Sequence, residues 1–96
     1  MSHTVILDIL AIEDLQEAID YYDDQKIGLG KRFDTQFDQL VSSLEINPFF
    51  QVRYDTVRCL SMKSFPYMAH YTINQISQTV NVFAVINTSK NITQLS

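Results

Sequence analysis

The spacing of apolar residues changes along this chain, and each change marks an element. Thr4 to Leu7 is a short run rich in β-branched residues and reads as a first strand. From about Leu10 the spacing turns helical. Ile12, Leu15, Ile19 and Tyr22 recur on one stripe, and Ala11 and Ala18 widen it. Glu13 and Asp14 are expected in the first turn, where the helix dipole favours acids. Glu17, Asp20, Asp23 and Asp24 fall on the other side, as a solvated face. Gly28 and Gly30 break the pattern: Gly28 supplies a left-handed cap and Gly30 frees the next start. A second helix follows from Leu29 to Ile46, with Phe33, Phe37, Leu40 and Leu44 on one stripe and Val41 beside it. Asn47-Pro48 stops it, because the residue before proline disfavours helix. Two amphipathic helices joined so briefly form an antiparallel hairpin.

Beyond Pro48 the period falls to two. Phe50, Val52 and Tyr54 alternate within a strand over 49–54, and Asp55-Thr56 turns the chain into a strand over 57–62. Leu60 and Met62 share one face before Pro66; Tyr67, Ala69, Tyr71 and Ile73 share one face after it. Pro66 has no backbone donor and belongs at a strand edge or turn. A turn over 74–78 leads to 80–86, an almost unbroken apolar run that suits a strand covered on both faces. The order β-α-α-β-β-β-β predicts an α+β fold, a helical hairpin laid on a mainly antiparallel sheet.

Composition narrows the class. Ninety-six residues fit one domain over 1–96, which buries roughly 60–65% of its unfolded surface. Cys59 is the only cysteine, so no internal disulfide forms and a reducing compartment is expected. Its bland reading is a small apolar strand residue. No apolar run approaches the ~20 residues that span a bilayer. The N-terminus lacks the basic region and cleavage site of a signal peptide, so a cytoplasmic protein is expected. Gly28-x-Gly30 follows a helix and lacks the Lys-Ser/Thr of a phosphate loop. The acids of the first helix are spread along one face, not converged for a metal. No cofactor or metal signature is present.

Charge adds a polarity. The net charge is −4, but residues 1–48 carry −7 and residues 49–96 carry +3. The groups most able to touch an anion are Arg58, Lys63 and His70, on or beside the stretch 60–71. Arg58 either touches a target or pairs with a helix acid such as Glu17. Lys63 is an exposed strand-end cation. His70 alternates with the apolar set, so it faces away from Ala69 and Tyr71, and it can titrate near neutral pH. His3 is expected at a solvated, frayed end. The field is weak for a dedicated nucleic-acid binder.

An ordered set of residues carries a resemblance. It comprises Ala11, Asp14-Leu15, Glu17-Ala18-Ile19 and Tyr21-Tyr22; Gly28-Leu29-Gly30 and Phe33; Ile46-Asn47-Pro48; Arg58, Leu60, Phe65-Pro66-Tyr67 and Tyr71; and Val85-Ile86-Asn87-Thr88-Ser89-Lys90. Over about residues 3–91 this resembles the RelE/ParE toxin superfamily of type II toxin–antitoxin modules, the ParE-like, plasmid-stabilisation branch in particular. The resemblance implies a helical hairpin on a curved antiparallel sheet. It also implies a cognate antitoxin whose C-terminal segment wraps the toxin by helix and strand contacts. RelE-like members cleave messenger RNA on the ribosome without metal. ParE-like members inhibit DNA gyrase and are not known for their own catalysis.

Chemistry separates the branches. Metal-free RNA cleavage needs a base, an acid and cations for the developing phosphorane charge. Here the strand Tyr67-Met68-Ala69-His70-Tyr71 has no arginine. Where many ParE-like relatives end the last strand in His and then Arg, this chain has Asn87 and Lys90. The resemblance therefore implies a growth-inhibiting toxin that binds a target, DNA gyrase being expected, through Arg58, Lys63 and Lys90, with no assigned catalytic residue. The alternatives are a RelE-like, ribosome-dependent mRNA endoribonuclease using Arg58, Lys63, His70 and Lys90, or a degenerate, non-toxic interaction module. Partners implied are an antitoxin and a target, with no membrane, no cofactor and no metal; a toxin–antitoxin hetero-oligomer is the assembly implied.

Overall fold

The structure, a computed structural model, describes residues 2–89. Its elements are β1 (Thr4–Leu7), α1 (Ile9–Gln25), α2 (Leu29–Ile46), β2 (Val52–Tyr54), β3 (Val57–Ser61), β4 (Tyr67–Asn74) and β5 (Thr79–Asn87). The order matches the α+β expectation. No helix among the described residues is long and apolar enough to cross a membrane.

The helix starts differ from expectation in their chemistry. Asp8 caps α1, its carboxylate accepting the Ile9 N–H at 3.1 Å. The first turn is therefore Ile9 to Ile12 and holds no acid. Asp14 instead reaches across to the sheet, where its carboxylate accepts the Val85 N–H at 3.0 Å. Gly28 takes φ 90°, as a left-handed cap requires. Gly30 serves contact, not backbone freedom: a Cβ there would stand 2.6 Å from the Ile19 carbonyl oxygen. Its N–H donates to the Asp23 carboxylate at 2.9 Å, satisfying one of the open donors at the start of α2.

The five strands lie in the order β1-β5-β4-β3-β2, with β1 parallel to β5 and the other neighbours antiparallel. The sheet is therefore mixed. The hairpin covers one face. Ala11 and Ala18 of α1, with Phe33, Phe37, Leu40 and Leu44 of α2, pack on Tyr67, Ala69, Tyr71, Val80, Val82 and Val85. Each large side chain buried this way contributes about 1.5–3 kcal/mol. Tyr22, Phe33, Phe65 and Tyr67 form an aromatic knot, with Tyr22 and Phe65 edge to face at 4.8 Å. Ile12 leaves the expected stripe and is exposed, as are Ile9 and Leu10.

The expectation that the last strand is covered on both faces fails. A bulge explains the unbroken apolar run. Tyr71 pairs with Val82 and His70 with Ala84, so Phe83 is an extra residue in β5. The inserted residue lets Val82 and Val85 both reach the core despite their odd spacing. Phe83, Ala84 and Ile86 are half-buried, and the Phe83 ring meets His70 on the uncovered face.

β2 is also shorter than the expected 49–54. Residues 48–50 use their backbone elsewhere. Tyr71 donates its hydroxyl to the Pro48 carbonyl at 2.8 Å, Phe50 N–H donates to the same carbonyl at 2.9 Å, and Arg58 donates to the Phe50 carbonyl. Phe49 N–H likewise bonds the Asn47 side chain at 3.1 Å, so the backbone donors at 49 and 50 are not free for a strand ladder. His3 corrects a second expectation. It is half-buried, its N–H bonds the Glu45 carbonyl at 2.8 Å, and its ring stands edge-on to Phe49 at 5.5 Å.

Candidate functional site

The strand register sorts the candidate residues onto two faces. Arg58 pairs with Tyr71 and Leu60 with Ala69, which point toward the helices; Cys59 pairs with His70 and Ser61 with Met68, which point away. Arg58 sits on the helical side where α2 has already ended. Its guanidinium bonds the Phe50 carbonyl and lies 5.5 Å from the Phe49 ring centroid. It thus serves neither Glu17 nor open solvent, but the connector between α2 and β2. Tyr71 holds the same connector from the core. Burial pushes its hydroxyl up to about 12, against the pull of the Phe50 backbone and then of Arg58.

His70 occupies the opposite face. The Tyr54 hydroxyl lies 3.2 Å and the Cys59 Sγ 3.5 Å from its Nδ1. Both neighbours carry a hydrogen to donate, which suits a neutral imidazole with Nδ1 as acceptor. Burial, then the charge of Arg53, lowers the His70 pKa. Burial raises the Cys59 thiol, against the opposite pull of Arg53. Lys63 is exposed in the turn between β3 and β4. Lys90 lies outside the described residues. Arg58 and His70 therefore stand on opposite sides of the sheet, so among the described residues the candidates are not gathered round one reacting phosphate.

A groove lies between α2 and β3, where helices and sheet were expected to leave an apolar trough beside an open strand edge. Gln36, Gln39, Leu40 and Ser43 form one wall of a groove, residues 60–63 form the other, and Phe50 closes one end; its volume is about 150 Å³. The floor is apolar, from Leu40, Leu60 and Met62, and the rim is polar, with Lys63 as its cation. β2 pairs only with Val57 and Arg58, so along 59–61 β3 has no strand beside it on that side. Ile46, Phe49, Phe50 and Val52 add exposed apolar surface along the adjoining connector. An unpaired strand edge above an apolar trough accepts an extended peptide, by main-chain pairing and alternate side-chain pockets. The signal in the sequence was Gln36, Gln39 and Ser43 flanking Leu40 on one helix edge, but nothing there showed which strand lay opposite.

No family model matches the sequence, and no curated protein matches it. Solved structures do. A chain of the chromosomal ParDE TA system from P. aeruginosa superposes with TM-score 0.77 at 13% identity, over 90% of this chain and 96% of that one. The chain has the RelE/ParE fold. A chain of the toxin–antitoxin complex RelBE2 from Mycobacterium tuberculosis shares it, with TM-score 0.65 at 15% identity, over 91% of this chain and 99% of that one. At such identity the RelE/ParE likeness is one of backbone path. The groove, the strapped connector and the His70 cluster are built from this chain's own side chains.

Proposed function

We propose that this chain is the toxin component of a toxin–antitoxin module, of the ParE-like kind. It acts in the cytoplasm by binding a target and is held inactive by a cognate antitoxin. The observation that carries this reading is the fold, shared along nine-tenths of the chain with a ParDE component. The side chains support binding over catalysis. Arg58 is spent on the connector, and His70 faces the other way among Tyr54 and Cys59. A nuclease needs its acid, base and cations convergent on one phosphate. The antitoxin is an extended segment that pairs with β3 along 59–61. It sets apolar side chains over Leu40, Leu60 and Met62, with an acidic side chain against Lys63. Target contact falls to Lys63 and Lys90, while Arg58, expected to share it, holds the connector instead, and DNA gyrase is the expected target from the resemblance.

The test is induced expression with and without the product of any small reading frame adjoining the gene. Growth arrest relieved by the neighbour, together with inhibited gyrase supercoiling in vitro, is the expected result. Ribosome-dependent mRNA cleavage in place of gyrase inhibition would move the reading to a RelE-like endoribonuclease. Unimpaired growth without the neighbour would leave only a non-toxic interaction module.

A further inference from the structure

Cys59 and His70 are direct cross-strand partners on β3 and β4. Met62 N–H donates to Tyr67 of β4 at 2.9 Å, so Leu60 also turns its backbone to β4 and Cys59 turns away. Cys59 and His70 are then a non-hydrogen-bonded pair, the kind whose side chains stand closest. Their Sγ and Nδ1 lie 3.5 Å apart. At zinc-like bond lengths, about 2.3 Å to a thiolate and about 2.0 Å to an imidazole nitrogen, a metal ion bridges that gap at an S–metal–N angle of about 110°. The space between sulfur and nitrogen is the place a metal ion would take.

We propose that Cys59 and His70 form a binding site for one soft monovalent cation, Cu(I) or Ag(I). Ligand type and charge select the ion. A thiolate and an imidazole are soft to borderline donors, and thiolate favours Cu(I). No group of three or more His, Cys, Asp and Glu gathers among the described residues, so a fully protein-ligated tetrahedral divalent site is not offered. A divalent ion on one thiolate would keep a positive charge beside Arg53, whose charge already acts on both ligands. A monovalent ion keeps none. Binding is an exchange: the S–H bond breaks, the proton leaves to solvent, and metal–sulfur and metal–nitrogen bonds form with no electron transferred. The net charge of a partly desolvated site is unchanged, since Cys59 is only 9% exposed. The Tyr54 hydroxyl, now 3.2 Å from the same nitrogen, gives up that bond. Met68 precedes His70 by two positions on the same face and carries a thioether that suits the third position.

The full chain is titrated under anaerobic conditions into the Cu(I)–bicinchoninate complex. One equivalent of copper should leave the chelator. Cys59→Ser and His70→Gln should each weaken the transfer at least tenfold, with fold checked by circular dichroism. His3→Ala, which removes the other of the two histidines, should leave it unchanged. Absence of transfer overturns the proposal, as does wild-type transfer in His70→Gln, which would mean a thiol acting alone. A second measurement needs no variant: one equivalent of Ag(I) should shift the His70 ring resonances, and an unshifted ring overturns the site. Neither readout depends on toxicity or on an antitoxin, so this proposal and the toxin reading fail separately.

Discussion

Replacing Gly30 by alanine sets two effects against each other with opposite signs. Helix propensity alone predicts a gain of up to about 1 kcal/mol, because alanine loses less backbone entropy than glycine. The contact between the helices predicts a loss. The new methyl would stand 2.6 Å from the Ile19 carbonyl oxygen and 2.7 Å from Cγ and Oδ1 of Asp23. The Asp23 side chain can swing aside, but doing so gives up its bond from the Gly30 N–H, worth about 1 kcal/mol. The Ile19 carbonyl is backbone and yields only if α1 and α2 move apart. Overpacking of that kind costs about 1–3 kcal/mol. The net expectation is a loss of about 2 kcal/mol. With a urea slope of about 1 kcal/mol per molar for a small domain, the midpoint falls by about 2 M. Urea unfolding followed by far-ultraviolet circular dichroism measures this. The Asp23→Ala change should cost about 1 kcal/mol alone and much less once Gly30→Ala is present, because the bond is then already lost. A midpoint for Gly30→Ala equal to or above that of the parent chain would refute the close helix approach.

Other outcomes follow from the same contacts. Asp14→Ala should cost about 1–3 kcal/mol, because the Val85 N–H loses its acceptor in a partly buried place; hydrogen exchange should quicken at Val85 first. Arg58→Ala should lower stability by about 1–2 kcal/mol through release of the Phe50 carbonyl and the Phe49 ring, whereas Lys63→Ala should shift stability by under about 0.5 kcal/mol and weaken antitoxin binding instead. Tyr71→Phe should cost about 1–2 kcal/mol by stranding the Pro48 carbonyl. Because Tyr71 ionises at about 12 in the folded chain and near 10 when unfolded, it contributes a stability that falls as pH rises from 10 to 12, and the phenylalanine variant should lack that slope. His70 is shifted the other way: its folded pKa is lowered, so the stability it confers is present above about 6.5 and declines as pH falls below that value. His70→Gln should flatten that acid limb in urea titrations at successive pH values.

What could be read from the sequence was whatever follows from period and punctuation. The Phe33, Phe37, Leu40 and Leu44 stripe, the Gly28 cap and the Tyr67, Ala69 and Tyr71 alternation each depend on residues near one another in the chain. They stand in the structure where the pattern put them. Features set by distant partners were hidden. The apolar run 80–86 does not announce that Phe83 is an extra residue, because a bulge is defined by the strand beside it. Asp14 looked like a dipole partner because nothing local shows that Val85 is within its reach. Arg58 was drawn to an acid or a target by its charge, and its true acceptor is a carbonyl made available by the proline stop at Pro48. The Cys59–His70 meeting needed the register of β3 against β4, which spacing along one strand cannot supply.

The short span after α2 has one further bearing on recognition. It is pinned by Tyr71 and Arg58 from the sheet and flanked by the His3 ring beside β1. The backbone behind the Phe50 wall of the groove is therefore held by contacts the free chain already makes. The entropy lost on association falls almost wholly on the incoming segment, so affinity should respond to pre-ordering that segment far more than to stiffening its receptor.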